Sequence, residues 1–248
     1  VCTTPTYACH LLDSARDVGI DLANSAVRLL ILAGEPGAQI PALRNRLEHG
    51  WRARVIDHSG MTEIGSLGIE FADWPGKLFL LEDQCIAEFI DPATTNPVAE
   101  GEVGELVLTN LGRWDSPLIR YRTGDLVRWR LGPSPADQPF VHLDGGILGR
   151  ADDMLYIKGN NVYPSSLESV LREEDRVAEF AIDIDETVWP AEVTVVVEPI
   201  ASAPTDDLIQ RLSRLFQDRL YFRPEIHLAP PGSLPRFEHK AQRLRRRR

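Results

Sequence analysis

Apolar residues near the start of the chain alternate between helical spacing and short continuous runs. Residues 7–18 show the helical spacing, and residues 27–33 form an apolar run that ends at Gly34, which is typical of a buried strand. A second helical pattern opens at Pro41, and residues 53–56 form another short strand. This order predicts parallel strands joined by a right-handed crossover. Gly34 and residues 59–60 should therefore share the sheet edge where α/β folds bind ligands.

The middle of the chain has a different pattern. Between residues 77 and 143, short alternating runs are separated by Gly, Pro and Asp, which predicts a small antiparallel β subdomain. The predicted strands are residues 77–82, 86–90, 105–109, 126–130 and 140–143.

The last hundred or so residues have the pattern of a compact α+β lobe. A hairpin around Leu155 and Val162 leads into a helix from Pro164, and strands follow at residues 178–184 and 193–198.

A further helix is predicted to start at Thr205, which would cap it. Its inward face would consist of Leu208, Leu212, Leu215, Phe216 and Leu220. We expect two domains, residues 1–150 and 151–248, with the boundary near Asp152.

The two ends of the chain carry simple expectations. The arginines at residues 245–248 predict a solvated basic terminus, with weak contact to an anionic partner as the alternative. The first residue is Val1 rather than Met, which we interpret as a cut in a larger polypeptide, although processing of a complete protein would look the same.

Composition excludes several classes of protein. The hydrophobic fraction of 43% and charged fraction of 26% are ordinary for a globular chain. The net charge of -10 opposes binding to nucleic acid. No apolar run indicates a membrane span or a signal peptide. Cys2, Cys9 and Cys85 are too few and too irregularly spaced for a disulfide framework or a zinc knuckle, so we expect a soluble cytoplasmic protein.

The first stretch that can carry chemistry follows a predicted buried strand. A Gly-containing turn there would expose backbone N–H groups, and the hydroxyl of Thr62 and the carboxylate of Glu63 suit a phosphate and its magnesium. A helix start with these two residues as caps is the alternative. The stretch reads Asp57-His58-Ser59-Gly60-Met61-Thr62-Glu63.

Three further features of the sequence can carry chemistry. Residues 121–125 predict a turn in which Asp125 could bind ribose hydroxyls, or a plain type I turn. Residues 149–161 are rich in Gly and Asn and predict a hinge, or an ordinary hairpin. Lys240 is one of three lysines among many arginines, so it either supplies an amine specifically or is a tail cation.

Together these motifs resemble the adenylate-forming superfamily of acyl-CoA synthetases, luciferases and nonribosomal adenylation domains, and specifically its phenylacetate–CoA ligase branch. The resemblance runs from Cys2 to Leu244. It rests on residues 3–8, 33–36, 57–63, 117–125 and 149–164.

The resemblance implies an α/β fold. Residues 1–150 would be the C-terminal part of the large AMP-binding domain, with a parallel βαβ unit and an antiparallel β subdomain. Residues 151–248 would be the small mobile α+β domain.

The resemblance also implies an AMP-forming acid–CoA ligase. The enzyme would activate a carboxylic acid, aryl or arylacetic, with ATP and Mg²⁺ as acyl-AMP and transfer the acyl group to CoA. The family's loop that binds the β- and γ-phosphates lies upstream of Cys2, so this chain by itself should handle ATP poorly.

Residue roles follow from the same resemblance. Thr62 would contact the α-phosphate, Glu63 the magnesium, Asp125 the ribose hydroxyls and Arg150 the ribose and phosphate. Lys240 would bridge the carboxylate and α-phosphate oxygens. The remaining nucleotide-binding positions would be Gly34, Glu35, Pro36, Asp57, His58, Ser59, Gly60 and Met61.

The resemblance extends to the second substrate and the acid. Asp152 would be the hinge between the two domains, and Gly159 and Asn160 would contact CoA. The acyl pocket would include Tyr7, His58 and Gly65.

Two departures from the family pattern stand out. Ser59 replaces the usual aromatic residue and removes a stacking surface worth about 1 kcal/mol. The loop at residues 132–136 has no cysteine, so we expect none of the zinc that some relatives hold there.

Two alternative functions stay open. One is an adenylating enzyme that loads a carrier protein or an amine in natural-product or capsule biosynthesis, and the other is a non-catalytic remnant. The expected partners are a carboxylic acid, ATP and CoA, without nucleic acid or membrane. The oligomeric state is open, with a homodimer as one expectation.

Overall fold

The computed structural model describes residues 1–134, 139–157, 160–201, 203–237 and 242–247. For Asn161 it describes the backbone only. The chain divides into two compact units, Val1–Asp152 and Asp153–Arg248. No helix in the described residues is both long enough and apolar enough to cross a membrane.

The described residues of the first unit form two helices, a short 3₁₀ turn at Leu22–Asn24 and nine strands. The helices are α1 (Pro5–Asp17) and α2 (Pro41–Trp51). The strands are β1 (Cys2–Thr3), β2 (Leu29–Leu32), β3 (Arg54–Met61), β4 (Gly65–Glu70), β5 (Lys77–Leu80), β6 (Cys85–Ile90), β7 (Val103–Asn110), β8 (Tyr121–Pro133) and β9 (Pro139–Arg150).

All nine strands belong to one mixed sheet in the order β1-β2-β3-β4-β5-β9-β8-β7-β6. Strands β1 to β3 are parallel, and the later pairs are antiparallel. Leu32 on β2 pairs with Asp57 on β3, so Gly34 and Ser59 both follow at the same edge of this pair. The predicted parallel pair and the antiparallel β region are confirmed.

Helix α1 starts where local chemistry favours a helix. Pro5 occupies the first turn, and the Thr4 hydroxyl accepts a hydrogen bond from the N–H of Tyr7 at 3.2 Å. Its apolar face packs with α2 and β2 in a core that includes Leu12, Leu30 and Leu47. Full burial of each such leucine contributes about 1.5–3 kcal/mol.

Two predicted turns are in fact strands. Residues 57–61 continue β3, which leaves the turn to residues 62–64, and residues 121–125 begin β8. The glycines caused the misreading. A Cβ at Gly60 would lie 2.8 Å from the backbone oxygen of Gly65, so Gly60 permits close strand approach rather than a turn.

The second unit contains two helices and six strands in its described residues. The helices are α3 (Pro164–Arg172) and α4 (Leu208–Leu220). The strands are β10 (Leu155–Ile157), β11 (Asn160–Val162), β12 (Val177–Asp185), β13 (Glu192–Pro199), β14 (Glu225–Leu228) and β15 (Leu244–Arg247). The sheet order is β14-β13-β12-β15, and β10 pairs with β11 in the predicted hairpin, with Leu155 opposite Val162.

Helix α4 confirms its predicted apolar face, because Leu208, Leu212 and Phe216 are fully buried. Its predicted cap is wrong. The helix begins at Leu208, and Thr205 contributes only its backbone oxygen to the N–H of Leu208 at 3.1 Å. The carboxylate of Asp207, the residue before the helix, is instead bound by Arg176 at 2.6 Å.

The C-terminal arginines also depart from the prediction. Residues 244–247 form β15, which pairs in parallel with β12, so they are not a solvated tail. Arg246 makes an ion pair of 2.7 Å with Glu186 beside that strand. The basic end therefore has an acidic partner within its own chain.

Candidate functional site

The tip of the β3–β4 hairpin carries Thr62 and Glu63, and side chains from outside the hairpin hold its backbone. The Arg113 side chain donates a hydrogen bond to the backbone oxygen of Thr62 at 2.9 Å and another to that of Glu63. Asn110 donates to the backbone oxygen of Ile64 at 3.3 Å. Both donors lie in or just after β7, so this region fixes the backbone of the tip.

The functional groups of the tip remain available. Thr62 and Glu63 are exposed, and neither the hydroxyl nor the carboxylate has a hydrogen bond or ion pair among the described residues. Mg²⁺ commonly uses one or two carboxylates together with substrate phosphates and water. A single free carboxylate beside a free hydroxyl fits such an ion.

A buried polar cluster lies at the carboxyl end of β2 and β3. Gln39 donates hydrogen bonds to the carboxylates of Asp57 at 2.7 Å and Glu70 at 3.1 Å. Arg44 from α2 makes an ion pair with Glu70. Burial has the largest effect on the pKa of Asp57 and raises it. The neighbouring Glu70 adds to the rise, and the hydrogen bond from Gln39 only partly opposes it.

A glycine on β9 makes room for this cluster. Gly146 has φ +68°, and a Cβ there would lie 3.0 Å from Oδ2 of Asp57 and 3.1 Å from Cγ of Gln39. A larger residue would therefore strain the backbone and press on the carboxylate.

Three further predicted nucleotide-binding residues, two on β3 and one after β2, have local contacts. His58 donates from Nδ1 to the backbone oxygen of Gly68 at 2.9 Å, which holds the ring against β4. Met61 packs against the apolar core of the antiparallel region. Glu35 accepts a hydrogen bond from the N–H of Thr6 at 2.7 Å, so its carboxylate sits at the N-terminus of α1.

Asp125 belongs to a network that uses each residue of the Arg-Thr-Gly-Asp motif. Arg122 forms a two-pronged ion pair with the buried Glu105, and the N–H of Gly124 donates to the same carboxylate at 3.2 Å. The Thr123 hydroxyl donates to the backbone oxygen of Leu106 at 2.8 Å and accepts from the N–H of Asp125 at 3.0 Å. These bonds fix the backbone on which Asp125 stands.

Arg150 is the partner of Asp125 across β8 and β9. Its Nη1 lies 3.4 Å from Oδ1 of Asp125, and its Nε donates to Asp152 at 3.0 Å. Gly124 has φ +75°, and a Cβ there would lie 2.7 Å from Nη2 of Arg150. The positive φ favours glycine at this position, and a side chain here would also shift the end of the Arg150 side chain.

A cavity of about 400 Å³ opens beside the hairpin tip. Gly65, one of the predicted acyl-pocket residues, lines it together with Ile64, Ser66, Leu81, Asp83, Gln84, Asn110, Gly112 and Arg113. Tyr7 is half-buried on α1, with its ring centroid 5.9 Å from that of His10.

Two predicted residues lie outside the described part of the chain. They are Lys240, the predicted catalytic amine, and Gly159, one of the two predicted CoA contacts. The other predicted CoA contact, Asn160, is the first residue of β11 and pairs with Ile157.

Comparison with known proteins shows what the chain is similar to. Residues 159–248 match the family described as the AMP-binding enzyme C-terminal domain. The chain is 31% identical to a phenylacetate-coenzyme A ligase of Thermus thermophilus, over 95% of this chain and 57% of that protein. It is 32% identical to the enzyme of the same name from Pseudomonas putida, over 97% and 56%. Over nearly its whole length, the chain is therefore similar to part of the phenylacetate–CoA ligases.

The fold of this phenylacetate–CoA ligase-like chain has a close structural counterpart. A crystal structure of 2-hydroxyisobutyryl-CoA ligase in the postadenylation state, in complex with 2-HIB-AMP, has a TM-score of 0.93 and 30% identity, and the match covers 100% of this chain and 54% of the other. The predicted α/β fold class is confirmed. The chain spans little more than half the length of these relatives.

Sequence analysis missed three residues that shape the candidate site of this phenylacetate–CoA ligase-like chain. Gln39 and Glu70 orient Asp57, and Arg113 holds the hairpin tip. None lies in a recognisable motif. Only Glu70 gave a signal in the sequence. It is a carboxylate in a largely apolar strand, and a carboxylate that is buried there requires a hydrogen-bonding or charged partner.

Proposed function

We propose that the parent protein, meaning the full polypeptide that carries this chain, is an ATP-dependent acid–CoA ligase. It activates a carboxylic acid, aryl or arylacetic, as acyl-AMP and transfers the acyl group to CoA. The observation that carries the proposal is the likeness over the whole chain to an acid–CoA ligase solved with an acyl adenylate. The phenylacetate-coenzyme A ligase relatives support the aryl or arylacetic assignment.

The proposed reaction has two steps, adenylation of the acid and transfer of the acyl group to CoA. A carboxylate oxygen attacks the α-phosphorus of ATP, and the bond to the bridging oxygen breaks to release pyrophosphate. The thiol of CoA, after losing its proton, attacks the acyl carbon, and AMP leaves with the electron pair of the broken acyl–oxygen bond.

The hairpin tip supplies oxygens to the first step. The Thr62 hydroxyl donates to an α-phosphate oxygen, and the Glu63 carboxylate helps to hold Mg²⁺, which would neutralise phosphate charge when bound. Support comes from the exposure of both side chains, which have no hydrogen bond to any described residue, and from the backbone that Arg113 fixes. A preset backbone avoids reorganisation during the reaction.

The nucleoside is held by the surfaces around the same sheet. Asp125 accepts hydrogen bonds from the ribose hydroxyls, and Arg150 lies beside the ribose and phosphate. Residues 34–36 and 57–61 line the adenine side. Support comes from the fixed backbone under Asp125 and from the polar cluster that holds Asp57.

The remaining roles concern the domains and the acceptor. Residues 1–150 act as the C-terminal part of the large domain and residues 151–248 as the mobile domain, with Asp152 as the hinge. Lys240 neutralises the charge that develops during adenylation, and Gly159 and Asn160 contact the pantetheine of CoA. Tyr7, His58 and Gly65 contribute to the acyl pocket.

The test is a coupled assay on the parent protein. A panel of aryl, arylacetic and short hydroxy acids is offered with ATP and Mg²⁺, and AMP release is measured with CoA, a carrier protein or an amine as acceptor. We expect AMP release and an acyl-CoA product with CoA only. Release with a carrier protein or an amine alone would move the protein to the other adenylating class. Failure to bind an acyl-sulfamoyl adenosine analogue would indicate a non-catalytic remnant.

A further inference from the structure

The arginine that holds the hairpin tip keeps most of its own hydrogen-bonding capacity. Arg113 donates to the backbone oxygens of Thr62 and Glu63 from a single nitrogen, Nη1. A guanidinium group also carries donors on Nε and Nη2. Neither of these makes a hydrogen bond, and the exposed side chain forms no ion pair, among the described residues. Several donors and a full positive charge therefore remain for a ligand.

The loop that carries Arg113 is fixed independently of any ligand. The N–H of Asn110 donates to the backbone oxygen of Leu118 at 3.0 Å, which closes the loop at its base. The side chain of Asn110 donates to the backbone oxygen of Ile64 at 3.3 Å, which joins the loop to the hairpin. Arg113 is therefore held beside the tip by backbone contacts, and little reorganisation is needed when a ligand binds.

Arg113 also lines the cavity of about 400 Å³ beside the tip. Gly65 and Ser66 form another part of the lining and fill little of the space. The charged residues of the lining are Asp83 and Arg113, and the Asp83 carboxylate accepts a hydrogen bond from Gln84 at 2.9 Å. A negatively charged ligand in this cavity would be repelled by Asp83, so its binding would depend on Arg113.

The proposed adenylation step produces such a ligand. When the bond between the α-phosphorus of ATP and the bridging oxygen breaks, pyrophosphate leaves with the electron pair, and negative charge grows on that oxygen. Fixed donors beside the oxygen stabilise this charge. A guanidinium suits phosphate groups because its planar fork donates pairs of hydrogen bonds to their oxygens. Arg113 contacts the backbone of Thr62, the residue proposed to bind the α-phosphate, so it lies next to the leaving group.

We propose that Arg113 is a catalytic residue that binds the β- and γ-phosphates of ATP and the departing pyrophosphate at the cavity beside the hairpin tip. The inference rests on the proposed function. A role limited to holding the tip makes a different prediction. Acyl-AMP retains the α-phosphate that Thr62 contacts, so a displaced tip would impair both half-reactions. Loss of a pyrophosphate contact impairs only the first.

The test compares Arg113→Met in the parent protein with Arg128→Met. Arg128 is an exposed arginine on β8 that forms no ion pair with any described residue. We expect the KM for pyrophosphate in the exchange reaction to rise at least about tenfold in Arg113→Met, because charged hydrogen bonds are lost. CoA transfer from supplied acyl-AMP should stay within about twofold of the wild type, and the control should change neither. An unchanged KM, or equal loss in both half-reactions, would overturn the role.

A binding measurement separates this inference from the proposed function. Calorimetry measures the Kd of inorganic pyrophosphate with Mg²⁺ for the parent protein, without acid or nucleotide. We expect Arg113→Met to raise this Kd at least about tenfold and Arg128→Met to leave it unchanged. Binding that depends on Arg113, in a parent protein that forms no acyl-AMP, would retain the pyrophosphate site and reject the ligase assignment. Acyl-AMP formation together with pyrophosphate binding that is independent of Arg113 would reject the site and retain the ligase.

A variant that keeps the charge separates phosphate binding from folding. Arg113→Lys retains a cation but loses the planar fork, and circular dichroism with urea denaturation establishes that both variants are folded. We expect its KM for pyrophosphate to lie between those of the wild type and Arg113→Met, with CoA transfer unchanged. A KM in folded Arg113→Lys as high as in Arg113→Met, with an equal loss of CoA transfer, would indicate that Arg113 only holds the tip and would overturn the proposal.

Discussion

Asp125 and Arg150 are register partners on β8 and β9, and their side chains form an ion pair of 3.4 Å. The Thr123 hydroxyl accepts a hydrogen bond from the N–H of Asp125, and the Thr123 backbone oxygen accepts one from Arg150 at 3.2 Å. The carboxylate proposed to bind ribose is therefore oriented before any nucleotide arrives, and this reduces the ordering that binding requires.

The ribose role of Asp125 predicts a specific loss in Asp125→Ala. Hydrogen bonds to a charged group contribute about 1.5–3 kcal/mol each, so we expect KM for ATP to rise at least about tenfold. Wild-type enzyme should discriminate against 3′-deoxy-ATP, and the variant should not. Asp13→Ala, which removes a partly exposed carboxylate on α1 that pairs with Arg46, is the control. Undiminished discrimination in Asp125→Ala would contradict the role.

The hairpin tip predicts a dependence on the Glu63 carboxylate. Glu63→Gln keeps the shape but removes the charge, so we expect turnover to fall by about 10²-fold and the Mg²⁺ concentration for half-maximal activity to rise. Titration of activity with Mg²⁺ measures both effects. Glu192→Gln, at an exposed position on β13, should behave as wild type. An unchanged Mg²⁺ titration in Glu63→Gln would count against the assignment.

The Arg44–Glu70 pair predicts a large effect on stability. Arg44→Met leaves the buried Glu70 without its cation, which costs about 3–5 kcal/mol. Arg46→Met, which breaks a partly exposed pair with Asp13, should cost about 1 kcal/mol or less. Urea denaturation of the parent protein measures both. Equal costs would show that burial does not determine the strength of these pairs.

Asp57 predicts a dependence of stability on pH. Because its pKa is raised in the folded protein, the folded state favours the neutral carboxyl. The contribution of Asp57 to the free energy of unfolding is complete at pH values below the ordinary pKa of Asp. It is lost as the pH rises through the raised pKa. Asp57→Asn is permanently neutral and can still accept from Gln39. We expect it to gain stability relative to wild type at pH 7 and to lose that advantage towards pH 4, measured by urea denaturation. A stability difference that does not vary with pH would contradict the raised pKa.

The parts of the fold that sequence predicted are those with local signals. The helical spacing within residues 7–18 marks α1, which the structure has at Pro5–Asp17, and the spacing of Leu208, Leu212 and Phe216 marks the buried face of α4. The parallel β2–β3 pair followed from the order of the elements, because short βαβ connections allow few alternatives.

The parts that sequence missed depend on distant partners. The arginines of β15 resembled a tail because Asp183, Asp185 and Glu186 lie far upstream. Gly60 and Gly124 resembled turn residues, whereas they permit close contacts of a neighbouring strand and of Arg150. Such contacts are absent from any short window of sequence. The roles assigned to the individual site residues remain predictions.

The most direct test of the account measures the acyl adenylate itself. Parent protein is incubated with ATP, Mg²⁺ and an accepted acid, and acyl-AMP is quantified by mass spectrometry for the wild type and Lys240→Ala. We expect acyl-AMP from the wild type and a loss of at least about 10²-fold in the variant, which should still convert supplied acyl-AMP to acyl-CoA. Absence of acyl-AMP from the wild type with every acid tested would contradict the ligase assignment, and equal loss of both half-reactions in Lys240→Ala would contradict its mechanism.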